Sequence, residues 1–306
     1  MEKISVIAPA KLNLSLDVTG LDERGYHTLD MVMQTVSVYE RLTITKKEEG
    51  ISLSSNARYI PTGEKNVANK AASAFFEMTG TRGGCEIYIK KSVPIKAGMA
   101  GGSADAAGVL VGLNELYKTG LSTEQLRDIG SRVGSDVPFM VIGGTKRVQG
   151  VGDIILPAPE LPHCRFVICM PSKGVSTPAA FSNYDTLGHK TNVETDRLID
   201  AIRNEDVPLM ASLMANDLEE AAGSPDTPVI RKALLDLGAL GSIMTGSGAA
   251  VFGVFPDTES AVKAYEEMKV RYRSVFLAHP VRHGAVIQTP KPSRNPSGKL
   301  KRKTNQ

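Results

Sequence analysis

Residues 11 to 18, KLNLSLDV, alternate strictly between apolar and polar side chains. Leu12, Leu14, Leu16 and Val18 point one way; Lys11, Asn13, Ser15 and Asp17 point the other. This predicts a strand with one buried face and one wet face. The stretch TGLDERGYHTLD is rich in turn residues and should lead to a second strand, MVMQTVSV, at 31–38. RLTITK and GISLS then read as a further hairpin. NVANKAASAFFEMTG has helical spacing with Gly80 as its C-cap, and GCEIYIKKSV returns as a strand. After a glycine-rich turn comes a helix over ADAAGVLVGLNELY, with Val109, Leu110, Leu113, Leu116 and Tyr117 on one face. Ser122 and Gln125 form a capping box that opens the next helix, STEQLRDIGSRVG.

Pro157, Pro159 and Pro162 then break the pattern. Proline lacks a backbone donor, so this segment is the candidate boundary between two domains, 1–157 and 163–287. Beyond it the pattern predicts a strand RFVICM, helices to about residue 238, strands GSIMTG and AAVFGVF, a helix TESAVKAYEEMKVRY and a strand SVFLAHP. Strands and helices mix without strict alternation, which predicts α+β for both halves. The chain shows no internal repeat.

The 306 residues are enough for two domains, and 42% hydrophobic with 23% charged residues is a soluble globular composition. No apolar run reaches the roughly 18 residues of a membrane span, and the apolar start of MEKISVIAPAKLNL is too short and interrupted for a signal peptide. A cytoplasmic protein without a membrane partner is expected. Cys85, Cys164 and Cys169 have neither disulfide nor zinc spacing, and the five histidines form no H-x-x-x-H pair. The net charge of +3 comes from the end of the chain. Without Lys291, Arg294, Lys299, Lys301, Arg302 and Lys303 it becomes −3. The body is thus mildly acidic and should not bind nucleic acid, while residues 288–306 are expected to form a disordered basic tail.

The richest chemistry lies in PIKAGMAGGSADAAGVL, residues 94 to 110. Glycines let several backbone N–H groups converge on an anion, and a following helix adds its free N-terminal donors. Ser103 adds a hydroxyl, or alternatively caps the helix of a plain connector; glycine content leaves both readings open. The loop has no G-K-[ST] ending, so any catalytic lysine must come from elsewhere. Asp105 in the first helical turn would suit the helix dipole. Lys11 is either an exposed lysine or a functional one beside Asn13. Asp136, two residues before Pro138, is either an N-cap or a base. Tyr26 and His27 sit in a turn, Asn66 is a possible N-cap, and Gly246, Ser247 and Gly248 form a turn between strands.

Pro94, then Gly98-Met99, then Gly101-Gly102-Ser103 resembles the phosphate loop of the GHMP kinases, which lacks a Walker lysine. PAKLNLSLDVTGLDERGYHTLD, GSDVPFMVIGGTKRVQGVGD and MTGSGAAVFGVF resemble further segments of that superfamily in the same order, in the form found in its cytidyl-substrate branch. The resemblance implies a two-domain α+β fold: a ribosomal S5 domain 2-like domain with a left-handed β-α-β unit, then a ferredoxin-like domain. It implies ATP and Mg²⁺ as cofactors. ATP would be held by Asn66 and by the loop Pro94, Ile95, Lys96, Ala97, Gly98, Met99, Ala100, Gly101, Gly102, Ser103 and Ala104. Lys11 and Asp136 would be catalytic, Asp136 as the general base. Asn13, Tyr26, His27, Thr177, Phe181, Gly246 and Ser247 would contact a small cytidyl substrate, with Tyr184 competing with Phe181 as the second aromatic face. The loop departs from the family's usual G-L-G-G-G-S-S at Ala100 and Ala104, and no residue matches the superfamily's metal-binding glutamate. The implied reaction is ATP-dependent phosphorylation of the 2-hydroxyl of 4-diphosphocytidyl-2-C-methyl-D-erythritol, in the non-mevalonate route to isoprenoid precursors. The alternatives are a homoserine- or mevalonate-type kinase and an inactive ligand sensor on the same fold. A monomer or weak homodimer is expected.

Overall fold

Two long strands organise the chain, β1 (Lys3–Leu21) and β2 (His27–Lys47), paired antiparallel along nearly their whole length. They belong to a computed structural model that describes residues 2–188 and 190–288; the expected basic tail beyond Gln288 lies outside the described residues. After β2 come β3 (Ile51–Ser55), α1 (Val67–Thr79), β4 (Gly84–Lys90), α2 (Gly101–Tyr117), α3 (Thr123–Ser131), α4 (Val137–Ile142), β5 (Thr145–Gly150) and β6 (Ile154–Pro157). The rest comprises β7 (Arg165–Met170), α5 (Thr177–Leu187), α6 (Thr195–Arg203), α7 (Val207–Ser212), β8 (Ala215–Asn216), α8 (Leu218–Ala221), α9 (Asp226–Asp236), β9 (Gly241–Met244), β10 (Val251–Phe255), α10 (Thr258–Arg271), β11 (Ser274–Ala278) and β12 (Val286–Ile287).

The larger sheet has the order β12-β1-β2-β4-β3, with β5 on β2, β6 on β5 and β8 parallel to β1. The smaller sheet, β11-β7-β10-β9, is wholly antiparallel. Its strand order, with helices crossing between β7 and β9 and between β10 and β11, is that of a ferredoxin-like domain. The α+β, two-domain expectation thus holds. The predicted hairpin of RLTITK with GISLS does not form. RLTITK is the second half of β2 and pairs with β4, while β3 pairs parallel with β4 on its far side. The 13-residue α1 makes the crossover between those two parallel strands.

Helix α2 lies flat on β1 and β2. Gly112 permits the approach, since a Cβ there would come within 2.5 Å of Ile44 Cδ1. The helix starts at Gly101 rather than at Ala104. Ala100, not Ser103, holds the N-cap position, and Asp105 lies beyond the first turn. Ser122 and Gln125 make both bonds of the capping box.

The wet face predicted for β1 is dry: Lys11 is 5% exposed and Asn13 and Ser15 are fully buried. Register shifts between Pro9 and Ala10 and between Asn13 and Ser15 explain this. A bulge turns the side chains beyond it to the opposite face. Ile4, Val6 and Ala8 therefore pack in the core under α2, as do Leu16 and Val18. Between the bulges, Ala10, Leu12 and Leu14 pack with Phe166, Ile168 and Phe252 of the smaller sheet. Lys11 and Asn13 are left facing the cleft between the domains. No helix among the described residues is long and apolar enough to cross a membrane.

Candidate active site

The glycine-rich loop bridges the two domains. Lys96, Gly98 and Ala100 have left-handed backbones, with φ of 53°, 72° and 55°, alternating with Ala97 and Met99, which do not. Such alternation turns successive N–H groups toward one point, the geometry of an anion nest. The N–H groups at the start of α2 follow directly, because Ala104 is the first to bond back, to Ala100 O at 2.9 Å. The outer edge of the loop is clamped. Ala249 N–H donates to Lys96 O and Ala250 N–H to Ala97 O, both at 3.1 Å, and Lys11 N–H donates to Met99 O at 3.2 Å. Gly98 must be glycine here, since a Cβ would sit 2.0 Å from the Thr245 carbonyl oxygen.

A cavity of about 350 Å³ opens over this loop. Lys11, Asn13, Asp136, Thr177, Phe181, Gly246 and Ser247 line it together with Pro94 to Gly102. The Lys11 ammonium donates to Asn13 Oδ1. Burial pushes its pKa below the ordinary lysine value, and the negative charge of Asp136 pulls partly the other way. Asp136 occupies the N-cap position of α4 but makes no side-chain capping bond, so its carboxylate is left for the cleft. Asn13 N–H donates to Thr245 Oγ1 at 2.9 Å, tying β1 to the β9–β10 turn. The hydroxyls of Thr177 and Ser247 bond to each other at 2.7 Å. At the outer end the His27 ring stacks on Phe181, centroids 4.7 Å apart, and meets Asp185 through Nε2 at 2.7 Å. Tyr26 is 63% exposed beside Arg24.

An anion nest, a helix start, a buried lysine and an unengaged carboxylate in one cleft are the parts of a phosphoryl-transfer site. The GHMP kinases N terminal domain matches residues 66–144, and the GHMP kinases C terminal domain matches 198–274. The chain is 39% identical over 280 residues to the 4-diphosphocytidyl-2-C-methyl-D-erythritol kinase of Clostridium tetani, covering 90% of this chain and 99% of that one. The chain belongs to the 4-diphosphocytidyl-2-C-methyl-D-erythritol kinase family of GHMP kinases. A crystal structure of a 4-(cytidine 5'-diphospho)-2C-methyl-D-erythritol kinase superposes with a TM-score of 0.78 at 29% identity, covering 90% of this chain and 98% of that one. Homoserine kinase from Cytophaga hutchinsonii shares the fold, with a TM-score of 0.76 at 19% identity, covering 94% and 98% of the two chains.

Not every residue singled out by its resemblance to GHMP kinases reaches the cavity. Asn66 caps α1: its Oδ1 accepts from Ala68 N–H at 2.8 Å and its Nδ2 donates to Pro61 O at 2.7 Å, so both ends of its amide are engaged. Ser103 and Ala104 lie just inside α2 and do not line the cavity; nor does Tyr26, and His27 meets it only through its stack on Phe181. Of the two aromatics considered after residue 175, Phe181 lines the cavity, while Tyr184 meets His27 only edge-on at 6.3 Å. Sequence reasoning missed Thr245, whose only signal is that it precedes Gly246-Ser247-Gly248. It also missed Lys91, a buried lysine that lines the cavity and pairs with both Glu40 and Asp105.

The nest and the helix start fit the phosphates of a nucleotide. No three His, Cys, Asp or Glu side chains among the described residues converge as a metal cage. No step below is routed through a metal.

Proposed function

We propose that this chain transfers the γ-phosphoryl group of ATP to the 2-hydroxyl of 4-diphosphocytidyl-2-C-methyl-D-erythritol, in the non-mevalonate route to isoprenoid precursors. The observation that carries this reading is the meeting, in one cleft, of the nest at 96–100, Lys11 and Asp136, with the His27–Phe181 stack at its mouth. The proposed nucleotide domain is residues 1–157 and the proposed second domain 163–287.

In this reading the nest and the first N–H groups of α2 hold the β- and γ-phosphates. Asp136 accepts the proton of the acceptor hydroxyl as that oxygen attacks the γ-phosphorus. The bond to the bridging oxygen breaks and ADP leaves. Phosphoryl transfer passes through a loose transition state, so positioning and charge supply most of the catalysis. Lys11, fixed by Asn13, faces the developing charge; burial weakens its hold on its proton, and a bound polyphosphate would restore it. Tyr26 and Phe181 offer two aromatic faces for cytosine and His27 offers a polar edge. Thr177, Gly246 and Ser247 line the space between base and phosphates.

The test is ADP release with ATP–Mg²⁺ and each of three acceptors: the cytidyl substrate, homoserine and mevalonate. Release is expected with the first alone, and release only with another acceptor would overturn the proposal. Base–aromatic stacking is worth about 1–3 kcal/mol. Tyr26→Ala should therefore raise KM for the cytidyl substrate about tenfold and leave KM for ATP within about twofold. Equal losses for both would mean that Tyr26 only supports the turn.

A further inference from the structure

Three charged side chains lie buried behind the phosphate loop. Lys91, just past β4, pairs with Glu40 of β2 at 2.6 Å and with Asp105 of α2 at 2.7 Å; the three side chains are 4%, 0% and 5% exposed. Glu40 also accepts the N–H groups of Ser92 and Val93 at 2.9 and 3.2 Å, and so fixes the segment that enters the loop. Asp105 has no such support. Its Oδ2 accepts from Lys91 and its Oδ1 is buried with no partner.

With both carboxylates ionised the group carries one net negative charge. It sits where α2 turns its N-terminus to the site of a polyanion. Asp105 is four residues inside the helix start at Gly101, about 6 Å along the axis. Resting on the reading of the loop as a nucleotide phosphate site, we infer that Glu40, Lys91 and Asp105 act as positioning residues of that site and that nucleotide binding draws a proton onto Asp105. Burial raises the Glu40 pKa as well, but Lys91 and two backbone donors oppose that rise, so the proton goes to the carboxylate with an open oxygen. Burial already pushes the Asp105 pKa up to about 7, Lys91 pulling it down and Glu40 pushing it further up. On the other elements packed on α2 the one buried charged side chain among the described residues is Lys11 of β1, which faces the cleft. Neither Lys11 nor the cleft's Asp136 perturbs Asp105. A diphosphate at the helix start adds negative charge and makes the neutral acid the favoured partner.

The experiment is calorimetric titration of the full chain with ADP–Mg²⁺ near pH 8, in buffers of different ionisation enthalpy, for wild type and Asp105→Asn. The wild type is expected to take up protons on binding, with affinity falling between about pH 6 and pH 8. Asp105→Asn keeps an acceptor for Lys91 but cannot ionise. It should lose that uptake and bind ADP about fivefold more tightly than wild type near pH 8. A purely structural triad would shift the melting temperature and leave the proton count of the two proteins equal; that result overturns the inference. Wild-type binding without uptake overturns it even if the variant fails to fold, and leaves the kinase reading standing. Absence of ADP binding overturns both.

Discussion

Single residues in the loop make distinct demands. Ala100 holds a left-handed backbone with φ of 55°, a conformation that costs a residue with a Cβ about 1–2 kcal/mol. Ala100→Gly should therefore raise the unfolding free energy by about 0.5–1 kcal/mol in urea, and a loss of stability would contradict the strain. Gly98→Ala should do the reverse and more. Its methyl would stand 2.0 Å from the Thr245 carbonyl, in a backbone with φ of 72°, so a loss of about 3 kcal/mol is expected. Retained stability would mean that the loop sits further from the β9–β10 turn. Asp105 gives a pH signature with a definite sign. Its carboxyl is raised from 3.8 to about 7 on folding, so between those values the native state keeps a proton that the unfolded state has released. Stability contributed by this residue is therefore lost as pH rises through that window. Asp105→Asn should gain melting temperature relative to wild type from pH 5 to pH 8; a constant gap would contradict it.

At the scale of elements, the sequence pattern located most strands and helices because each buries one periodic face. It missed what bulges and pairing partners decide. The alternation in KLNLSLDV was plain, but the two register shifts flanking Lys11 and Asn13 leave no mark in it, so a dry face turned to the cleft read as a wet one. RLTITK and GISLS both read correctly as strands; only their partner was wrong, because β4 comes from beyond α1 to lie between them. Asn66 shows the same limit at a helix end, where capping and ligand contact use the same side chain. Its bonds to Ala68 and Pro61 predict that Asn66→Ala costs about 1 kcal/mol of stability and that Asn66→Ser recovers much of it. Thermal melts of the two variants test the cap. ATP KM measured in parallel should stay within about twofold, and a large rise would restore a nucleotide role.

For the whole molecule, the two domains meet on one loop. The loop's carbonyls at 96 and 97 accept from the second domain, Asn13 of the first leans on Thr245 of the second, and Arg147 joins Asp30 on β2 to Asp196 on α6. The candidate lysine, the carboxylate and the phosphate loop were legible in the sequence as separate motifs. Their convergence was not, since Lys11, Gly98, Asp136 and Ser247 lie on four segments that only the tertiary fold brings to one cavity. The charge compensation by Lys91 was invisible for the same reason. The described residues that line the cleft lie between 11 and 247, so removing residues 290–306 should leave turnover within about twofold. The most direct measurement is steady-state ADP release with ATP–Mg²⁺ and the cytidyl substrate, comparing wild type with Asp136→Ala. The account predicts robust turnover by the wild type and a fall of about a hundredfold or more in kcat for the variant, with KM for ATP little changed. Equal rates for the two proteins would contradict it.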